Sequence, residues 1–253
     1  MLKIFILSLL ALNLYSQSHY KELQDKKTYL SAITTCKDLG DKWRLPQIWE
    51  IFALKGETKT FGKDKRYWSA TSLVENRKVL IHTSSDESYV KDRDIPAFAF
   101  YLQDGDVTPT PKSIKANVIC TNLPKTKQSQ KWFKKTTKGV EDSLNSILWE
   151  PITKSNRYIK LSHEESWEKC ESKSLYGKSW RLPTLDELYS IVNYQHVKPS
   201  LNTEIFSKMQ NRYYWSDDAF SETQAYVVGF SIGSVATSKK ENKSYFRCVS
   251  DLD

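Results

Sequence analysis

Beyond its first eighteen residues the sequence has no apolar run approaching the roughly 20 residues that a membrane-crossing helix needs. It carries no G-x-S-x-G turn, no Walker loop and no dinucleotide-binding glycine pattern. That removes the commonest signatures of serine hydrolases, nucleotide-dependent enzymes and nicotinamide-dependent enzymes. The histidines, His19, His82, His163 and His196, are scattered without metal-ligand spacing. His163 stands beside a predicted helix start and is expected to be exposed. No cysteine precedes Cys36, so a lipoprotein cleavage site is absent. Neither a cofactor nor a metal is expected from these patterns.

Aromatic residues are abundant instead. They make up 13% of the chain, with eight Trp and fourteen Tyr, too rich for a disordered protein. The opening MLKIFILSLLALNLYSQS has a cation at Lys3, an apolar stretch from Ile4 to Tyr15, and the small residues Ser16 and Ser18. This is the form of a secretory signal peptide over residues 1–18, with an uncleaved anchor as the alternative. The mature chain is expected to be exported, to the periplasm or to the cell surface and medium, without a transmembrane anchor. Export gives the four cysteines, Cys36, Cys120, Cys170 and Cys248, an oxidising environment and three ways to pair.

The formal net charge is +8, and part of it is concentrated. Leu123 to Gly139 reads LPKTKQSQKWFKKTTKG, with six Lys and no acid. Such a stretch attracts anionic glycans, nucleic acid or lipid head groups, and it equally serves as a solvated linker.

The tetrapeptide W-R-L-P occurs twice, as Trp43-Arg44-Leu45-Pro46 and as Trp180-Arg181-Leu182-Pro183. Other landmarks repeat in the same order. AFAFYLQDGDV (Ala97 to Val107) lies opposite AYVVGFSIGSV (Ala225 to Val235) at an offset of 128, which also carries Cys120 onto Cys248. RYWSA around Trp68 matches YYWSD around Trp215. Ordered landmarks with unequal gaps are what loop variation in a duplicated domain looks like. The expected organisation is a domain at 20–123, a basic linker at 124–139 and a second domain at 140–253. If each copy folds alone, Cys36 pairs with Cys120 and Cys170 with Cys248, whereas a cross-domain pairing would misregister both halves.

Local patterns agree. Tyr29, Ala32, Ile33, Cys36 and Leu39 share one helical face. Ser162 with Glu165, and Thr184 with Glu187, form capping boxes that open helices. Gln47 and Glu50 stand at the matching place in the first copy. Each Pro of W-R-L-P stops an extended segment before the next helix, while Trp and Leu supply about 2–3 kcal/mol apiece when fully buried. Arg44 and Arg181 suit forked bonds that anchor a loop, or alternatively a ligand contact.

The run LSHEESWEKC, WRLPTLDEL, YWS, AYVVGFSIGSV, YFRCV resembles the Lcl C-terminal domain family seen in bacterial collagen-like adhesins, over nearly all of residues 143–250. ILWEP at Ile147 to Pro151 is similar to the Trp-containing strand that opens that domain. The first copy lacks an obvious opening Trp strand and has a long insert between Leu73 and Pro96. The R-L-P-T-x-x-E core also resembles the sulfatase-modifying, formylglycine-generating enzyme family. Both resemblances imply an α+β fold class: two tandem C-type lectin-like domains, each with two helices around a twisted antiparallel sheet.

The activity implied is much less specific, because this fold carries unrelated sites. Formylglycine-generating enzymes need a redox-active cysteine pair, and here every cysteine is used by the expected bridges. The calcium motifs of sugar-binding C-type lectins are absent, leaving WSDD at Trp215 to Asp218 as a distant echo. Asp217 and Asp218 are weak ligand candidates, or simply a polar turn. Asp104 and Asp106 flank Gly105, but the second copy has Ile232 and Ser234 there, which argues against duplicated catalysis. Tyr67, Trp68, Tyr213, Tyr214 and Trp215 either present flat faces to sugar or peptide, or are core residues that both copies need. The chain therefore reads as an exported, non-enzymatic binding protein, with an anionic glycan or an envelope protein as partner and nucleic acid disfavoured. The rival readings are an enzyme or enzyme accessory on the formylglycine-generating fold, and a structural envelope component.

Overall fold

The computed structural model describes residues 19–55, 61, 64–72, 80–83, 86–89, 96–101, 103, 105–125, 130–196 and 198–252. The expected signal segment, 1–18, and Asp104 lie outside them. The chain divides into two compact units, Met1–Lys127 and Gln128–Asp253. Both are α+β, built mostly of antiparallel strands with few helices.

In unit 1, β1 (Tyr20–Glu22) pairs antiparallel with β7 (Ile119–Thr121), which brings the two ends of the unit together. Helix α1 (Tyr29–Lys37) buries Tyr29, Ala32 and Cys36, the face that its apolar spacing marks. Helix α2 (Ile48–Phe52) follows Pro46 and buries Ile48, Ile51 and Phe52. Strands β2 (Arg66–Ser72), β5 (Ala97–Tyr101) and β6 (Val107–Thr110) form an antiparallel run in the order β2-β5-β6. A hairpin of β3 (Leu80–Thr83) and β4 (Asp86–Tyr89) falls within the long insert. Trp68, Leu45, Ala99 and Val118 pack with the α1 face and with Cys120 in one core. Cys36 and Cys120 are bonded, their Cα atoms 5.4 Å apart.

In unit 2, β8 (Phe133–Thr136), β9 (Gly139–Asp142), β10 (Ile147–Trp149) and β14 (Val249–Asp251) form an antiparallel sheet in the order β14-β10-β9-β8. Helix α3 (His163–Glu171) starts from a Ser162–Glu165 capping box, and α4 (Leu185–Ser190) from a Thr184–Glu187 box. Strands β11 (Tyr213–Ala219), β12 (Gln224–Gly229) and β13 (Ser234–Lys239) are antiparallel neighbours in chain order. Trp180, Leu182, Trp215, Val227 and Cys248 pack with Cys170 in the core. Cys170 and Cys248 are bonded at a Cα separation of 5.5 Å.

The Lys-rich stretch at 124–139 is not all linker. Its second half is β8, where Phe133 is buried edge-on to Phe206 at 5.0 Å while Lys134 points to solvent. The β8–β9 turn ends at Gly139, which has a φ of +141°. A side chain there would collide with the Trp149 carbonyl, so the position admits glycine alone. One buried aromatic is enough to seat an edge strand whose lysines keep it soluble. A reading by charge alone takes the same residues for linker.

Candidate functional site

The W-R-L-P segments are structural in both units. Arg44 forks onto Glu50, Nη1 donating to Oε2 at 2.7 Å and Nη2 to Oε1 at 2.8 Å. The same Oε2 accepts from the Gln47 amide at 2.7 Å, and Nη1 also donates to the Leu45 carbonyl. Unit 2 repeats the set: Arg181 to Glu187 at 2.8 and 2.7 Å, Thr184 N–H to Glu187 at 2.7 Å, and Arg181 to the Leu182 carbonyl. Burial pushes the Glu187 carboxyl up, but the Arg181 fork and the Thr184 bonds outweigh it and hold the group below the usual carboxylate range. Each fork thus ties an extended segment to the helix that follows. Trp180, Leu45, Leu182, Pro46 and Pro183 are buried, and Trp43 is half-buried.

The aromatic candidates separate sharply. Trp68 and Trp215 are buried, with indole N–H groups donating to the Lys27 and Leu161 carbonyls at 2.8 and 3.0 Å. Tyr67 and Tyr214 are also buried: Tyr67 donates its hydroxyl to Glu22 at 2.7 Å, and the Tyr214 oxygen accepts from the Gln210 amide. Neither presents a face to a ligand, which corrects the expectation for both; strand residues next to a core Trp are enclosed on the second face as well. Tyr213 remains, 49% exposed.

The acidic candidates are placed by backbone bonds. Asp218 accepts from the amide of Leu185, the first residue of α4. Thr71 does the same for Ile48 at the start of α2, at 2.9 Å, so this position holds down a helix start in either unit. The Asp217 amide donates to Pro183, and desolvation pushes its carboxyl up against the pull of His163. Among the described residues no group of three or more His, Cys, Asp or Glu could hold a metal ion. His163 is buried, not exposed: it stands edge-on to Trp215 at 5.3 Å, and its Nε2 lies 2.9 Å from the Ser216 carbonyl. Packing of a flat ring on Trp overrides its place at a helix start.

A basic surface that no single stretch announces is assembled in unit 1. Lys27 and Ala116 exchange backbone bonds at 2.9 and 3.0 Å in an antiparallel bridge, which sets Lys26 opposite Asn117 and brings Lys115 diagonally across to the same cleft. The Asn117 amide donates to the Arg66 carbonyl at 2.9 Å, and β2–β5 register puts Arg66 opposite Tyr101. The result is a cleft of about 330 Å³ lined by Lys26, Asp64, Lys65, Arg66, Tyr101 and Lys115. Arg66 lies 5.6 Å over the Tyr101 ring. Lys65 is held 2.8 Å from Glu22, so the cleft keeps a positive balance from Lys26, Arg66 and Lys115 over Asp64.

The matching backbone positions in unit 2 are also basic. Leu161 and Ser244 exchange bonds at 3.0 Å each, and Tyr245 N–H reaches the Tyr213 carbonyl at 3.0 Å. These place Lys160, Arg212 and Lys243 as Lys26, Lys65 and Lys115 are placed in unit 1. Lys160 stands 5.1 Å from the Tyr245 ring centre, and the exposed Tyr213 occupies the position of Arg66. Sequence reading pointed to Lys125–Lys138 instead. The offset of 128 that pairs Cys120 with Cys248 also pairs Lys115 with Lys243, and that was the available signal.

No curated protein matches the chain. Among solved structures, a crystal structure of botrocetin is similar at 21% identity with a TM-score of 0.32, over 42% of this chain and 90% of that one. Residues 138–250, the greater part of unit 2, match the family model of the Lcl C-terminal domain.

Proposed function

We propose that this is an exported, non-enzymatic binding protein that recognises acidic polysaccharide, and that both units are C-type lectin-like domains descended from one module. The observation that carries the ligand class is the unit 1 cleft, which gathers Lys26, Arg66 and Lys115, with Arg66 standing over the Tyr101 ring. Cations supply attraction to uronate or sulfate groups, and the Tyr101 ring holds one of them, Arg66, in place by a cation–π contact. The recurrence of basic side chains at the same backbone positions of unit 2 supports one ligand class for both.

Common descent is supported by the matching bonds. The Arg fork, the Trp N–H to carbonyl bond, the helix-start acceptor and the disulfide from first helix to last strand occur in each unit. All four cysteines are bonded and none is free. This leaves no thiol for chemistry of the formylglycine-generating type, which supports the non-enzymatic reading. The test is equilibrium binding of the mature chain to heparin, hyaluronan and neutral dextran over a salt series. Binding to the two anionic polymers that weakens with salt is expected, since charge-driven contacts are screened. Absence of binding to both at low ionic strength, or equal binding to dextran, would remove the reading.

A further inference from the structure

A second cleft, wholly within unit 2, has a different construction. The β8–β9 hairpin, the residues after β10 and the 205–208 segment enclose about 190 Å³ lined by Lys135, Glu150, Phe206, Ser207, Lys208 and Arg247 among others. Arg247 is 5% exposed, and a buried charge is costly unless its donors are matched. One of them is: Nη2 donates to the Glu150 carbonyl. Nε has no partner, lying 3.9 Å from Glu150 Oε1, beyond hydrogen-bond reach.

The Glu150 carboxylate is shared among several partners. Its Oε2 holds Lys173 at 2.8 Å and its Oε1 accepts the Cys248 amide at 3.0 Å. One carboxylate therefore faces two buried or half-buried cations, with Lys135 and Lys208 adding positive charge at the exposed edge. An oxyanion from solution would supply the missing acceptor, since bonds from guanidinium and ammonium groups to such oxygens are among the strongest available.

We propose that this cleft is a binding site for a single oxyanion group, a carboxylate, sulfate or phosphate, seated against Arg247 and flanked by Lys135, Lys208 and Ser207. The volume admits one such group with a few waters and excludes a polymer lying lengthwise. The site therefore suits a terminal or branching acidic group, and it is independent of the basic surface on unit 1.

Site-resolved amide shifts of the full mature chain test it, during titration with sodium sulfate, sodium phosphate and sodium glucuronate at constant ionic strength against chloride. Saturable shifts in residues 135–140 and 205–208 with at least one of the three are expected, and which one saturates identifies the group. The double variant K135Q/K208Q should weaken that binding by about tenfold, since two flanking charges are lost. R247M should abolish it. If R247M does not fold, the lysine variant, whose changes are at the surface, decides alone. No saturable shift with any of the three anions, or an unchanged affinity in K135Q/K208Q, overturns the proposal.

Discussion

In unit 1 the first residue of α1, Tyr29, stands edge-on to Trp68 at 5.5 Å, and in unit 2 the first residue of α3, His163, stands edge-on to Trp215 at 5.3 Å. Each ring reaches a carbonyl of the neighbouring strand, Ala70 in one case and Ser216 in the other. A phenol and an imidazole thus do the same packing work. Thr71 and Asp218 are a second such exchange, and Arg66 and Tyr213 a third. What recurs without change is the set that fixes the backbone: the disulfide, the Arg–Glu fork, the buried Trp and the bridges to the last strand. The first two exchanges fall where a ring or an acceptor of either chemistry satisfies the same neighbours, and the third falls where the cross-strand neighbour itself changes from Tyr101 to Gly229. Differences in behaviour between the units should therefore come from those margins, and the frames should respond alike when broken.

Removing the bridges tests the frames with the largest effect. The cysteines close loops of similar length, with sequence separations of 84 and 78. C36S/C120S and C170S/C248S should each cost their unit up to about 4.5 kcal/mol in denaturant unfolding, because the unfolded chain regains loop freedom. A loss in one unit and none in the other would break the equivalence.

The forks come next. Arg44→Met strands a Glu50 carboxylate whose side chain is only 9% exposed, and should cost about 2–3 kcal/mol. Arg181→Met should cost less, because the Arg181 side chain is 34% exposed against 20% for Arg44. Thermal unfolding of the two variants ranks them. Glu187 is held below the usual carboxylate range, so its share of unit 2 stability is present above the unfolded carboxyl pKa and is lost as pH falls through the folded value.

A smaller effect separates the units by pH. Burial lowers the His163 pKa from its ordinary 6.5, the Ser216 contact and Asp217 offsetting it only in part. The unfolded chain then binds the proton more readily than the folded one. Stability from the neutral ring is present above pH 6.5 and is lost as pH falls through the lower folded value. Unit 1, with Tyr29 in that place, has no such titration there. Unfolding midpoints between about pH 7 and pH 5 should fall for unit 2, and His163→Tyr should flatten that slope. An unchanged slope in the variant would locate the titration elsewhere.

Much of the frame was legible because it depends on short-range chemistry. Capping boxes, Pro before a helix, and a Cys on the apolar face of a helix each involve neighbours within a few residues, and the structure places α1, α3, α4 and both disulfides accordingly. The Arg–Glu fork was visible as a donor seeking an acceptor, though not which acceptor, because the partner lies one helical turn beyond the Pro. Strand faces were harder: burial of Tyr67 and Tyr214 depends on what covers the second face. The β8 strand was hidden because charge dominates its composition and Phe133 alone anchors it. The basic cleft could not be read from any one segment, since Lys26, Arg66 and Lys115 meet only through β-bridges between distant parts of unit 1.

That cleft is also where the functional account is most exposed to test. Heparin affinity should be measured against salt for the wild type, for K26Q/K115Q, and for K125Q/K138Q in the Lys-rich stretch. K26Q/K115Q should weaken binding and lower the slope of log affinity against log salt by about one per cation removed, with K125Q/K138Q close to wild type. An unchanged affinity and slope in K26Q/K115Q, with the loss appearing in K125Q/K138Q instead, would contradict it.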